Sequence, residues 1–249
     1  MGKLTISTNS TQGKETIVDN FSFSGSALAQ ADWTKHRLMY LSEKLTEAVH
    51  LSGTPRITVK LASNKPTANL SVWLVSLPWN GNKNAKITDN IITRGWADPQ
   101  NHRSLTESEP LVPGRFYEMK FDLQPDDQVI PVGQQIGLMI MSSDREFTLR
   151  PDPGTELTID LDATNIQLPL GGGIKAFSKA TTKKTEAENT NSKQNETSVV
   201  SSSVSSSVSY AVSYTHLRAP ETRHAIVCRL VREKKIGGGG WGGGGGGGG

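Results

Sequence analysis

Three histidines precede residue 110: His36, His50 and His102. A histidine acting as a base for a nucleophile needs that nucleophile within hydrogen-bond reach and an acid behind it. The chain offers no G-x-S-x-G elbow; the nearest string is Phe23-Ser24-Gly25-Ser26-Ala27, whose spacing is wrong. P-loop, H-E-x-x-H, C-x-x-C and G-x-G-x-x-G patterns are absent as well. The stretch Asp98 to Glu109 imitates a twelve-residue calcium loop, but Arg103 stands where the sharp turn needs glycine. No catalytic residue, metal site or cofactor follows from these residues, and each histidine reads as a packed or surface group. Asp126 and Asp127 sit in Gln124-Pro125-Asp126-Asp127, and Asp144 follows Ser142-Ser143. Aspartates in such places fix turns through nearby amides, with Asp144 also a candidate for a binding site. Trp73 lies inside an apolar strand and reads as sheet packing. Trp79 and Trp96, in polar surroundings, are the candidates for contact with a ligand or another domain.

The elements around these residues follow a period of two. Ile57, Val59 and Leu61 alternate with Arg56, Thr58 and Lys60, which predicts a half-buried strand. Ala68 to Leu77 carries Leu70, Val72, Leu74 and Ser76 on one side. Further strands are expected near Tyr117–Leu123, at Ile136–Met141 (covered on both faces), at Phe147–Leu149 and at Leu157–Leu161. Turn signals separate them at Ser52-Gly53-Thr54-Pro55, Asn80-Gly81-Asn82, Pro113-Gly114, Pro131-Val132-Gly133 and Asp152-Pro153-Gly154. One helix is expected over Ser26 to Lys35, capped by Ser26 or Gly25. The pattern is all-β, and residues 1–170 are enough for one sandwich core.

The rest of the 249 residues has a different character. Residues 171–211 are rich in Ser, Thr, Asn and Lys and poor in large apolar groups, which predicts a disordered linker. From Val212 the chain reads VSYTHLRAPETRHAIVCRLVREKKI and then runs into glycine broken only by Trp241. This resembles the translated read-through of a transposon-type sequencing-library adapter followed by GGG codons, with Pro220, Val231 and Arg232 departing from it. On that reading residues 212–249 are not native. Without their six basic and two acidic residues, 21 basic and 22 acidic residues remain, a net charge of −1. That balance points to neither nucleic acid nor anionic membranes. The only cysteine, Cys228, lies in the same tail, and no 18-residue apolar run marks a membrane segment.

Several strings carry a resemblance. His50-Leu51-Ser52-Gly53-Thr54-Pro55, Thr93-Arg94-Gly95-Trp96-Ala97-Asp98-Pro99-Gln100-Asn101 and Ile130-Pro131-Val132-Gly133-Gln134-Gln135-Ile136-Gly137-Leu138 are followed by Ser142-Ser143-Asp144 and Pro151-Asp152-Pro153-Gly154-Thr155. From about Arg37 to Leu170 the chain resembles the C-terminal region of lactic-acid-bacterial Xaa-Pro dipeptidyl-peptidases. It shares a looser pattern with cocaine-esterase-like hydrolases. The resemblance implies a jelly-roll, galactose-binding-like β-sandwich that follows an α/β-hydrolase domain bearing a Ser-Asp-His triad. That domain removes N-terminal dipeptides with proline second, and its triad would lie upstream of Met1, itself then an internal methionine or an assigned start. The resemblance also implies a homodimer and a cytoplasmic location. The Ser/Thr/Asn-rich linker instead resembles the stalks of exported surface proteins. The fragment alone is expected to be inactive, an accessory domain that walls an active site or supports dimerisation. The competing readings are a carbohydrate-binding module, which needs Trp79 and Trp96 paired on one rim, and a structural stalk domain.

Overall fold

The computed structural model describes residues 1–7, 11–79, 90–182 and 225–232. The Asn80-Gly81-Asn82 turn, the linker beyond residue 182 and the glycine run lie outside them. Among the described residues twelve strands form: β1 (Gly2–Thr5), β2 (Lys14–Val18), β3 (Arg37–Leu41), β4 (Val49–Gly53), β5 (Arg56–Ser63), β6 (Leu70–Leu77), β7 (Ile91–Ala97), β8 (Phe116–Asp122), β9 (Asp126–Ile130), β10 (Gln135–Met141), β11 (Glu156–Pro169) and β12 (Ala225–Val231). The large sheet runs β7-β6-β10-β3-β1-β12-β11-β5-β8, with β2 also on β11, and β4 pairs with β9 in a separate ribbon. Its two ends approach each other: the Gln124 amide donates to the Arg94 carbonyl at 2.8 Å, and the Thr93 hydroxyl donates to the Gln124 carbonyl at 2.5 Å. The fold is therefore all-β and nearly closed as a barrel, which leaves few unpaired strand edges.

Strand alternation sorts the side chains into two apolar clusters. Ile57, Val59 and Leu61 of β5, Leu70, Val72 and Leu74 of β6, and Ile136, Leu138 and Ile140 of β10 fill the barrel interior. The opposite faces of β3, β6 and β10 send Met39, Trp73, Val75, Leu77, Met139 and Met141 into a second cluster outside it. Strand β10 is thus covered on both sides, as its continuous apolar run predicts. Each of these side chains contributes about 1.5–3 kcal/mol by leaving water.

The second cluster is roofed by α1 (Gly25–Gln30), which contributes Leu28 and Ala29. Its cap is Ser24, whose Oγ accepts from the Ala27 amide at 3.2 Å, rather than Gly25 or Ser26 as expected. The helix also stops at Gln30 rather than running to Lys35. The buried Arg37 guanidinium donates to the Leu28 carbonyl at 2.8 Å and to the Ala31 carbonyl, taking the acceptors that another turn would use. Burial without an acidic partner lowers the pKa of that guanidinium.

Three other expectations change. Phe147–Leu149 is not a strand but part of a turn in which the Phe147 and Thr148 amides donate to the Asp144 carbonyl at 3.0 and 2.9 Å. Asp126 and Asp127 lie in β9 rather than in a turn. The stretch expected to be disordered from residue 171 begins with α2 (Gly173–Thr181), which buries Phe177 and Ala180 against the core. Residues 225–231, within the stretch read as foreign, form β12 between β1 and β11 and bury Ile226, Cys228 and Leu230. No helix among the described residues is long and apolar enough to cross a membrane.

Candidate functional site: a carboxylate held by two tryptophans

Strands β6 and β7 pair antiparallel with Trp73 opposite Arg94 and Ser71 opposite Trp96. Residues opposite each other, and residues two apart, share a face, so all four project to the outer side of the sheet. The chain leaving β10 crosses that side as Ser142-Ser143-Asp144. It is pinned by the Ser71 hydroxyl, which donates to the Ser142 carbonyl at 2.8 Å, and by Asp19, whose Oδ1 accepts from the Ser143 amide at 2.9 Å. Asp144 is delivered fully buried over the two tryptophans. Its Oδ2 accepts from Trp73 Nε1 at 2.8 Å and from Trp96 Nε1 at 3.0 Å. Two hydrogen bonds on one oxygen fix both rings. Its Oδ1, and the hydroxyls of Ser142 and Ser143, are buried with no hydrogen-bond partner among the described residues.

A turn locks this carboxylate from behind. The Thr148 hydroxyl donates to the Asp144 carbonyl at 3.0 Å and accepts from the Asp144 amide at 3.0 Å. The same turn brings the Phe147 ring onto Trp96, with centroids 5.0 Å apart and planes at 29°. The Arg94 guanidinium lies 4.4 Å from the Phe147 ring centre, 5.2 Å from Trp73 and 5.8 Å from Trp96. A cation on an aromatic face is worth about 0.5–2 kcal/mol, more when desolvated.

Of the residues singled out by sequence, the structure joins Trp96 to Asp144 and leaves Trp79 apart. Trp96 lies opposite the start of β6, whereas Trp79 follows its end and packs on the second apolar cluster. Sequence reading missed Trp73 as a member, because its place in a strand reads as packing alone. It also missed Arg94 and Phe147. The alternation of Arg94 and Trp96 about Gly95 places both on one face and was the available signal. The histidines take structural roles: His36 Nδ1 bonds the Val18 carbonyl at 2.8 Å, His50 Nε2 bonds Asp127, and His102 Nδ1 bonds the Pro99 carbonyl at 3.2 Å. No group of three metal-binding side chains occurs among the described residues.

The described residues thus form an all-β domain that closes over a buried carboxylate. Residues 1–200 match the family of the X-Pro dipeptidyl-peptidase C-terminal non-catalytic domain, and the chain belongs to that family. It is 70% identical over 159 residues to a putative Xaa-Pro dipeptidyl-peptidase of Rhodopirellula baltica, covering 64% of this chain and 25% of that one. To the Xaa-Pro dipeptidyl-peptidase of Lactobacillus delbrueckii subsp. lactis it is 29% identical over 164 residues, covering 55% and 21%. The chain thus spans about a quarter or less of these relatives. Its fold resembles part of an α-amino acid ester hydrolase with a TM-score of 0.50 at 15% identity, covering 66% of this chain and 33% of that one.

Proposed function

We propose that this chain is the accessory domain of a serine exopeptidase that releases N-terminal Xaa-Pro dipeptides. On this reading a preceding α/β-hydrolase domain does the chemistry, and the present domain walls its active site against water and longer substrates. The nearly closed sheet is then a jelly roll of the galactose-binding-like type. We further propose that the parent is a cytoplasmic homodimer, with a secreted or cell-surface location the alternative that the Ser/Thr/Asn-rich stretch suggests.

The observation that supports the reading is the family match over residues 1–200, and the Asp144 clamp adds a structural detail to it. Both indole N–H groups and one carboxylate oxygen are directed at each other, so the site serves as a rigid platform rather than an open cleft. A carbohydrate-binding module needs aromatic faces paired on one rim. Trp79 and Trp96 lie toward opposite ends of β6, which speaks against such a pair.

The test uses a chromogenic Xaa-Pro substrate. This chain alone should give the blank rate. The Rhodopirellula baltica relative should hydrolyse the substrate, and deleting its matched segment should lower that rate or admit longer peptides. Turnover by this chain alone that a serine-directed inhibitor blocks would sink the proposal, and strong binding on a glycan array would favour the carbohydrate reading.

A further inference from the structure

The outer surface of the clamp continues into one exposed patch. Phe147 is 52% exposed, Leu149 87% and Phe21 37%. The Arg150 guanidinium lies 4.5 Å from the Phe21 ring centre, and Arg145 donates to the Ser22 carbonyl at 3.2 Å, which ties the turn at 145–150 to the segment before α1. Arg94 completes the patch on Phe147. Among the described residues none of these three arginines forms a salt bridge. Glu146 is the one acid within the turn.

We propose that this face docks the part of the parent polypeptide that precedes residue 1, against an apolar surface edged with carboxylates. The inference rests on the accessory-domain reading and names the surface through which that role is exercised. Contiguous exposed apolar groups mark interaction sites, whereas single ones need no explanation. Stacking covers the faces of a guanidinium and leaves its in-plane donors for a carboxylate. The matched segment is 25% of the Rhodopirellula baltica relative, so most of such a polypeptide lies outside this chain. A covalent tether supplies a high effective concentration, and a patch of modest size then suffices. A second copy is the poorer occupant, because a two-fold contact would set three arginines against three.

The probe is the Rhodopirellula baltica relative with its matched segment deleted, titrated by calorimetry with the full 249-residue chain. Leu149→Asp and Arg150→Glu change exposed side chains outside the clamp and should keep the wild-type melting profile. Each should weaken association by about tenfold or more, as loss of an anchor does. Ile174→Ser, an exposed side chain on helix α2 outside the patch, should leave it unchanged. If the truncated relative does not fold, a chimera carrying this chain in place of the matched segment is melted instead. It should unfold in one transition, which Arg150→Glu splits into two. Association or cooperative melting that neither substitution alters overturns the patch but spares the accessory reading. No association and independent melting of the chimera overturn both. Self-association of this chain that Leu149→Asp abolishes assigns the patch to a second copy and overturns the proposal.

Discussion

Trp96 and Asp144 are 48 residues apart in sequence, and Trp96 Nε1 lies 3.0 Å from Asp144 Oδ2. Trp73 reaches the same oxygen from the neighbouring strand at 2.8 Å. This shared oxygen joins β6, β7 and the end of β10 at one point.

Removal of the carboxylate should therefore be costly. Asp144→Ala leaves the buried Trp73 indole unsatisfied, at about 1–3 kcal/mol, while the half-buried Trp96 indole can turn to water. Urea unfolding followed by tryptophan fluorescence should show a midpoint lowered to match, with Asp144→Asn losing less because its amide oxygen still accepts. An unchanged midpoint for the alanine variant would show that the clamp contributes nothing to stability.

Gly25 is set by packing rather than by backbone conformation. A Cβ there would meet the Trp73 ring, whereas one at Gly114 meets nothing within 4 Å and faces only its φ of +80°. Gly25→Ala should destabilise by about 1–3 kcal/mol, as overpacking does, and should perturb the near-UV dichroism of tryptophan. Gly114→Ala should cost about 1–2 kcal/mol from left-handed strain and leave that spectrum alone. Matching spectra for both variants would refute the close contact of α1 with Trp73.

Burial pushes the Cys228 thiol up to about 12 from its ordinary value of 9.0. The folded chain holds this proton where the unfolded chain has lost it. The associated stability is full below about pH 9 and is lost as pH rises through the folded value near 12. At pH 8 the native thiol should react with an aromatic disulfide far more slowly than the thiol in urea. Equal rates would mean that β12 does not occupy its place in the sheet.

We also propose that residues 212–249 are translated adapter, and that β12 docks because Ile226, Cys228 and Leu230 happen to alternate with Val227 and Arg229. Any segment with that alternation can add to open strands such as β1 and β11. Long-read sequencing of the source locus should show a reading frame that departs from this one after Ala211. A chain ending at Ala211 should stay folded and keep the Trp73–Asp144 clamp, which lies on strands that β12 does not touch. Its melting temperature should fall by about ten degrees or more, since the loss of Ile226, Cys228 and Leu230 removes apolar burial of about 1.5–3 kcal/mol per side chain. A genomic frame that runs on into polyglycine would refute the adapter origin.

The sequence by itself determined the all-β class, because a period of two in β5, β6 and β11 is a local property of the chain. It also showed the two-sided burial of β10, since a continuous apolar run suits a strand without a wet face. The resemblance carried by strings such as Thr93 to Asn101 foretold the family. The tertiary structure decided the rest. Whether Phe147 sits in a strand or a turn depends on amides donating to the Asp144 carbonyl, and α1 ends where Arg37, nine residues from Leu28, takes its carbonyls. Trp73 became part of a site only when β10 delivered a carboxylate above it. A hydrogen bond across 71 residues leaves no mark in local spacing, since it depends on which strands pair and in what register.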